Sequence, residues 1–427
     1  MRRISSRNAI TAIFAIAVLS LVSACSSSIK DTSATGKITA DTTGTVRVLM
    51  EGVPDTDVVK GLLAEFNKEY PKVDVMIEPI AYDQIRDKIV ASFQASDPTY
   101  DLAIIDNPWM GDFARAGFLK PLDDLISATS GYDYEDFAAP LRAIGEVDGK
   151  VYGVPFYNYG LGLIYRSDLI TTEPITLDEL AATAKKLNSS ARAGIAMQPQ
   201  TGYKAFEEWG NYLFAAGGSI YGGDGKVHLN TLEAKKALNT YIAMYKSSAP
   251  KNSLNWAFDE ALRSVSSGKS AMMVSYNWML PTLNKVGGVS GDLAGKFKLA
   301  TMPGGKQVLG SWDWAIPANS KVSDAAWAFI SWITSKAGEA KRVSAGGAPA
   351  RIGVLSDPAV SSTGGGADYY ATVTKILANA EPLCRGSNCD EMITAVGTEL
   401  NAAVAGLKSV DKALASAEEQ ANKIQTP

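Results

Sequence analysis

The feature that most constrains this chain is the alternation of strand-like and helix-like apolar patterns between residues 46 and 105. Val46 to Met50 alternates, is rich in β-branched residues and reads as a strand. After Glu51-Gly52-Val53-Pro54-Asp55, residues Val58, Val59, Leu62, Leu63 and Phe66 recur at helical spacing, and the pattern stops near Tyr70-Pro71. Val73 to Ile77 predicts a second strand, residues 83 to 95 a second helix, and Leu102 to Ile105 a buried apolar strand. Strands separated by helices are joined by crossovers, so the pattern predicts a mostly parallel sheet with helices on its faces. Ligands of such sheets sit beyond the carboxyl ends of the strands. That rule points to Glu51 to Asp55, Tyr82 to Gln84 and Asp106 to Trp109.

Further along, Leu161 to Tyr165 predicts a strand, and residues 177 to 187, 205 to 216 and 231 to 246 predict helices, the second carrying Trp209. Strands are expected at Met272 to Trp278, 297 to 302 and 308 to 316, and helices at 322 to 334 and 391 to 424, the last broken at Gly406-Leu407. In the first of these strands Tyr276 and Trp278 fall on one face at period two, with Asn277 between them. Flat aromatic faces beside amide groups suit a sugar; a buried strand with an aromatic end is the competing reading.

At 427 residues and 46% hydrophobic composition, the chain can form two packed domains of ordinary size. Its formal charge is −4, and without residues 1 to 24, which hold Arg2, Arg3 and Arg7 and no acid, 38 basic residues face 45 acidic ones. Such a surface argues against nucleic acid as a partner. Those first 24 residues have the parts of an export signal: early arginines, an apolar run from Ile10 to Val22, then small residues. Val22-Ser23-Ala24-Cys25 resembles a bacterial lipobox, whose cysteine is lipidated and becomes the new N-terminus. The Ser, Thr, Gly and Asp of residues 26 to 44 read as a tether. Cys384 and Cys389 are expected to close a small disulfide loop in an exported protein. With one histidine, His228, in a Gly-rich turn region, a metal site is not expected.

Enzyme signatures are weak. Gly268-Lys269-Ser270 ends like a phosphate loop, but Arg263 stands where the first glycine belongs. Ser266-Ser267-Gly268-Lys269 fits S-x-x-K without the motifs that accompany it in hydrolases. A carboxylate pair drawn from Glu51, Asp55, Asp106 and Asp313 leaves a glycosidase open, since two acids flanking a sugar suffice. The same acids could equally accept hydrogen bonds from sugar hydroxyls in a binding protein.

Four segments in order carry a family resemblance across the chain beyond the tether. They are Val151-Tyr152-Gly153-Val154-Pro155-Phe156 with Leu161 to Leu169; Gly268-Lys269-Ser270-Ala271-Met272-Met273; Leu309 to Pro317 with Ala326-Trp327-Ala328-Phe329-Ile330; and Gly346-Gly347-Ala348-Pro349-Ala350-Arg351. Together they resemble the solute-binding proteins of bacterial carbohydrate ABC importers, the group that includes maltose-, trehalose- and polyol-binding lipoproteins. The resemblance implies an α/β, two-lobed periplasmic-binding-protein-like fold with the ligand between the lobes and hinge crossovers. It places one lobe at residues 45 to 155 and 314 to 354, the other at 156 to 313 and 355 to 427. It implies no enzyme activity and no cofactor, with an exported carbohydrate-active hydrolase as the alternative. The expected ligand is a sugar, a di- or oligosaccharide ahead of a monosaccharide or polyol. The other partners are the permease subunits and the membrane, through a lipid on Cys25, for a monomer. Trp278, Trp209, Tyr159 and Trp312 correspond to ligand-side aromatics of the family. Asp106, Trp109, Glu51, Asp55 and Gln84 are its candidates in the first lobe.

Overall fold

The structure, a computed structural model, describes residues 37–363 and 365–425. The export segment, Cys25 and the start of the tether lie outside the described residues. The spine is a sheet whose strands run in the order Val73–Ile80, Gly44–Glu51, Leu102–Asp106, Gln307–Ala315, Val154–Arg166 and Met272–Tyr276. The first three are parallel, as the alternation predicts. The helices Pro54–Glu69 and Tyr82–Gln94 join them, burying Val59 and Phe66 from one and Ile85 and Ile89 from the other.

Two long antiparallel strands hold the molecule together. Val154–Arg166 pairs with Gln307–Ala315 from Val154 opposite Trp314 to Gly160 opposite Leu309. Both are buried along their whole length, which is why they read as continuous apolar and small runs instead of alternating ones. Beyond this pairing each serves a different half. Residues 312–315 take Leu102–Asp106 as a neighbour, while residues 161–166 take Met272–Tyr276 and Phe297–Ala300. One apolar core surrounds the parallel strands, and a second is built from the helices Leu177–Leu187, Tyr203–Ala215, Leu232–Ser248, Cys389–Val404 and Val410–Ile424. This is the two-lobed α/β architecture that the resemblance implies.

Local expectations needed two corrections. The strand expected to reach Trp278 stops at Tyr276, and Trp278 instead caps the short helix Met279–Asn284. Asp106 to Trp109 is not a loop: Asp106 N-caps the helix Asn107–Arg115, with Pro108 in its first turn, where a missing N–H costs nothing. The C-terminal helical stretch is two helices parted around Gly406, as the sequence predicts, and the φ of +76° there suits glycine. One close approach sets the helix packing of the second core. A Cβ on Gly397 would stand 1.7 Å from the carbonyl oxygen of Gly202, the residue before the helix Tyr203–Ala215, so only glycine lets the helix Cys389–Val404 lie against that turn. Cys384 and Cys389 are joined by a disulfide just ahead of it.

Candidate functional site

The carboxyl ends of the parallel strands do converge on a cavity. Glu51 is the last residue of its strand, Asp106 the last of another, and Tyr82 the first residue of the helix that follows the third. With residues from the crossover strands and the second lobe they line a cleft of about 620 Å³. That is within the size of ordinary small-molecule sites, roughly 300–1,000 Å³.

One wall is aromatic because a buried amide fixes its backbone. Asn277 is fully enclosed, and its Nδ2 donates to the carbonyl oxygens of Gly160 at 2.9 Å and Asn158 at 3.2 Å. The residues on either side, Tyr276 and Trp278, are thereby turned into the cleft with their rings parallel, 6.0 Å apart. Tyr159 from the long strand lies 5.5 Å from Trp278 and 5.3 Å from Tyr276, and Phe258 closes the panel at 5.9 and 5.6 Å from the same two rings. Across the cleft Tyr82, 39% exposed, meets the edge of Trp312 at 5.9 Å and is backed by Trp109 at 5.7 Å.

Polar groups stand between these walls. Asp106 accepts from the Tyr82 hydroxyl at 2.9 Å and from the Asn107 backbone N–H at 2.9 Å. Burial nonetheless holds its carboxyl well above the usual range, with the nearby Glu51 carboxylate adding to the effect. Burial also pushes Glu51 up to about 7, partly offset by Lys204. Among the described residues no protein group hydrogen-bonds the Glu51 carboxylate. Lys204 pairs with Glu207 at 2.6 Å and contacts the Tyr276 hydroxyl, which itself donates to Glu207 at 2.9 Å.

Of the residues singled out from sequence, Trp278, Trp312, Tyr159, Asp106 and Glu51 are brought together on the cleft lining. The other four lie elsewhere. Trp109, 2% exposed, stands behind Tyr82 and Trp312 and supports them. Trp209 is fully buried in the second core, because nearly every residue of its helix faces protein. Gln84 is exposed on the helix Tyr82–Gln94 and does not line the cleft. The Asp55 carboxylate is taken up by Arg342 and the Ala348 backbone N–H, and it borders only an adjoining cavity. Asp313 is buried between sheet neighbours, and neither of its oxygens has a hydrogen-bond partner within the described residues. Sequence reasoning passed over Tyr203, Lys204, Glu207 and Phe258, and it noted Tyr276 beside Trp278 without counting it among the site candidates. The period-two relation of Tyr276 to Trp278 was the available signal for the last; the others depend on how their helices are rotated against the sheet.

The fold and cleft define a two-lobed ligand-binding protein with its site between strand-end loops and an aromatic panel. The comparisons agree. The model of the bacterial extracellular solute-binding protein family matches residues 53–340, and the chain belongs to that family. It is 25% identical over 286 residues to the mannitol-binding protein of Pseudomonas aeruginosa, covering 64% of each chain, so the match spans somewhat less than two thirds of that relative. A solute-binding protein of an ABC transporter from Agrobacterium radiobacter K84, solved in complex with ribitol, superposes with a TM-score of 0.79 at 27% identity, covering 89% of this chain and 98% of that one. Maltose-bound MalE3 of T. maritima shares the fold, with a TM-score of 0.79 at 24% identity over 88% of this chain and 98% of its own. Family membership sets the glycosidase alternative aside: these are solute-binding proteins, not hydrolases.

One helix carries two neighbouring acids with different roles. Glu207 faces the cleft, whereas Glu208, 2% exposed, points into the second core and accepts from the Gln198 N–H at 2.5 Å and the Tyr241 hydroxyl at 2.5 Å. Burial pushes Glu208 up to about 8 despite these bonds. Its folded pKa lies above the unfolded one, so the folded state holds the proton between about pH 4.5 and 8, and stability falls as pH rises through that window. Thermal melts are expected to show a lower midpoint at pH 8.5 than at pH 5.5, with the difference reduced in Glu208→Gln. An unchanged pH dependence in the variant would rule this assignment out.

Proposed function

We propose that the chain captures a sugar or polyol outside the cytoplasmic membrane and delivers it to the permease of an ABC importer. The observation that carries this reading is the pair of aromatic walls, Tyr276, Trp278, Tyr159 and Phe258 on one side and Tyr82 and Trp312 on the other, with acids between them. Aromatic faces bind the apolar C–H faces of a sugar, and Glu51, Asp106 and Glu207 can accept from its hydroxyls. The mannitol-binding relative and the ribitol complex support the same ligand class. The lobes divide at residues 45–155 with 314–354 and 156–313 with 355–427, and the crossover strands act as the hinge around which the cleft closes. Residues 1 to 24 direct export, and a lipid on Cys25 holds the monomer at the membrane through the tether.

A thermal-shift screen over monosaccharides, oligosaccharides and polyols, followed by calorimetry, tests the capture step. A stabilising shift with stoichiometric binding and no turnover is expected; silence across the whole screen would overturn the reading. Fractionation of cells making the Cys25→Ala chain tests the anchor, which predicts release from the membrane fraction.

A further inference from the structure

The disulfide loop from Cys384 to Cys389 does not line the cleft, yet it touches both halves of the molecule. Its cysteines are buried in the second core. On that side the Arg385 N–H donates to the Tyr221 hydroxyl at 3.0 Å, Gln425 Nε2 donates to the Arg385 carbonyl at 3.0 Å, and Asn388 Nδ2 donates to the Ile424 carbonyl at 3.0 Å. Gly386 and Asn388 have φ values of +99° and +54°, so the short loop turns sharply at two places.

The tip of the loop rests on the other half. The Asn388 N–H donates to Asp112 Oδ1 at 2.9 Å, and Arg115 donates to the Ser387 hydroxyl at 3.1 Å. The Gly386 carbonyl comes so near the helix Asn107–Arg115 that a Cβ on Gly111 would stand 2.4 Å from its oxygen. Just past the loop, Asp390 faces Arg86 of the helix Tyr82–Gln94 at 4.0 Å. Both helices pack in the first core, through Phe113 and Ile85 among others. One begins with Tyr82 and the other is capped by Asp106, and both of those residues line the cleft. A loop fixed in one core thus holds the two helices that carry the opposite side of the site. Two of the contacts join a charged side chain to an N–H or a hydroxyl, the stronger kind of hydrogen bond. All of them span the two cores, so parting the cores breaks them.

We propose that this loop is a clasp between the lobes: residues 386 to 390 hold the helices behind Tyr82 and Asp106 in the arrangement seen here, and so slow the escape of a bound solute. The effect on escape rests on the capture reading above. The clasp itself is a property of the chain without ligand as well.

The test uses the whole mature protein with Lys68→Cys and Lys236→Cys, exposed positions on a helix of each core, spin-labelled to report lobe separation by electron double resonance. It is measured without ligand and with maltose, mannitol or ribitol. Asp112→Ala removes the acceptor of the Asn388 N–H. Gly111→Ala deletes no bond but drives a methyl into the Gly386 carbonyl, and alanine favours the helix it joins. Each is expected to reduce the population at the short separation by about threefold or more, and to speed dissociation of whichever compound binds, followed by stopped-flow fluorescence, by about fivefold. Thermal melts without ligand should stay where they are, which separates a clasp from a general loss of stability. Separations unchanged in both variants would overturn the clasp and leave the capture reading intact, and so would an unchanged dissociation rate. A parent chain with no population at the short separation would overturn it too. If none of the three compounds binds, the measurement without ligand still decides the clasp.

Discussion

Replacing Arg342 by alanine is expected to lower the unfolding free energy by about 3–5 kcal/mol, the cost typical of removing one partner from a buried ion pair. The guanidinium is 1% exposed and donates to both oxygens of Asp55, at 3.0 and 3.1 Å, and to the carbonyls of Phe156 at 3.0 Å and Ala348 at 2.6 Å. It also lies over the Phe156 ring, 4.4 Å from the centroid. One side chain thus ties the start of the helix Pro54–Glu69 to the crossover strand and to the segment after the helix Lys336–Ser344. Truncation would leave the Asp55 carboxylate buried with only the Ala348 N–H, at 2.8 Å, to satisfy it. Denaturant unfolding of Arg342→Ala, Asp55→Ala and the double variant gives the check. The double variant should lose less than the sum of the singles, because the second removal relieves an unpaired charge. A loss below about 1 kcal/mol for either single would show that the pair is not the strut described, since buried pairs cost several times that to break.

The second large effect is on binding. Trp278→Ala is expected to weaken the affinity for the captured solute by about tenfold or more, equivalent to about 1.4 kcal/mol or more. The indole lines the main cleft and the adjoining cavity, and its neighbours Tyr159, Tyr276 and Phe258 cannot move into its place without abandoning their own contacts. Trp278→Phe keeps an aromatic face and should recover most of the loss, which separates stacking from a disturbed backbone. Calorimetry reports affinity and a thermal melt without ligand reports the fold. Unchanged affinity in the alanine variant, with the melt intact, would remove Trp278 from the site.

Much of the site was legible along the chain, and the reasons it was legible also mark where reading stopped. Glu51 and Asp106 could be found because a parallel sheet puts its ligand at strand ends, and the helical and strand periods locate those ends within a residue or two. Tyr159 and Trp312 belong to strands buried on both faces, whose composition announces them but does not say which face meets the cleft. For Trp278 the family resemblance supplied what periodicity alone left open. Trp209 shows the limit: in a helix enclosed on nearly every side, an aromatic that looks available in sequence is core.

By itself the sequence determined the alternation of strands and helices, hence a parallel sheet and a cavity to be sought at its carboxyl edge, because these follow from short-range periodicity and turn chemistry. Tertiary structure alone decided which acids remain free. Asp55 and Glu51 sit four residues apart in one strand-end segment, yet Asp55 is claimed by an arginine 287 residues away while Glu51 is left facing the cleft. It also decided that Tyr276, Lys204 and Glu207 would share one polar cluster, and that a second cavity would open behind Trp278. Those outcomes depend on how helices and lobes are placed against one another, which no local pattern of residues encodes.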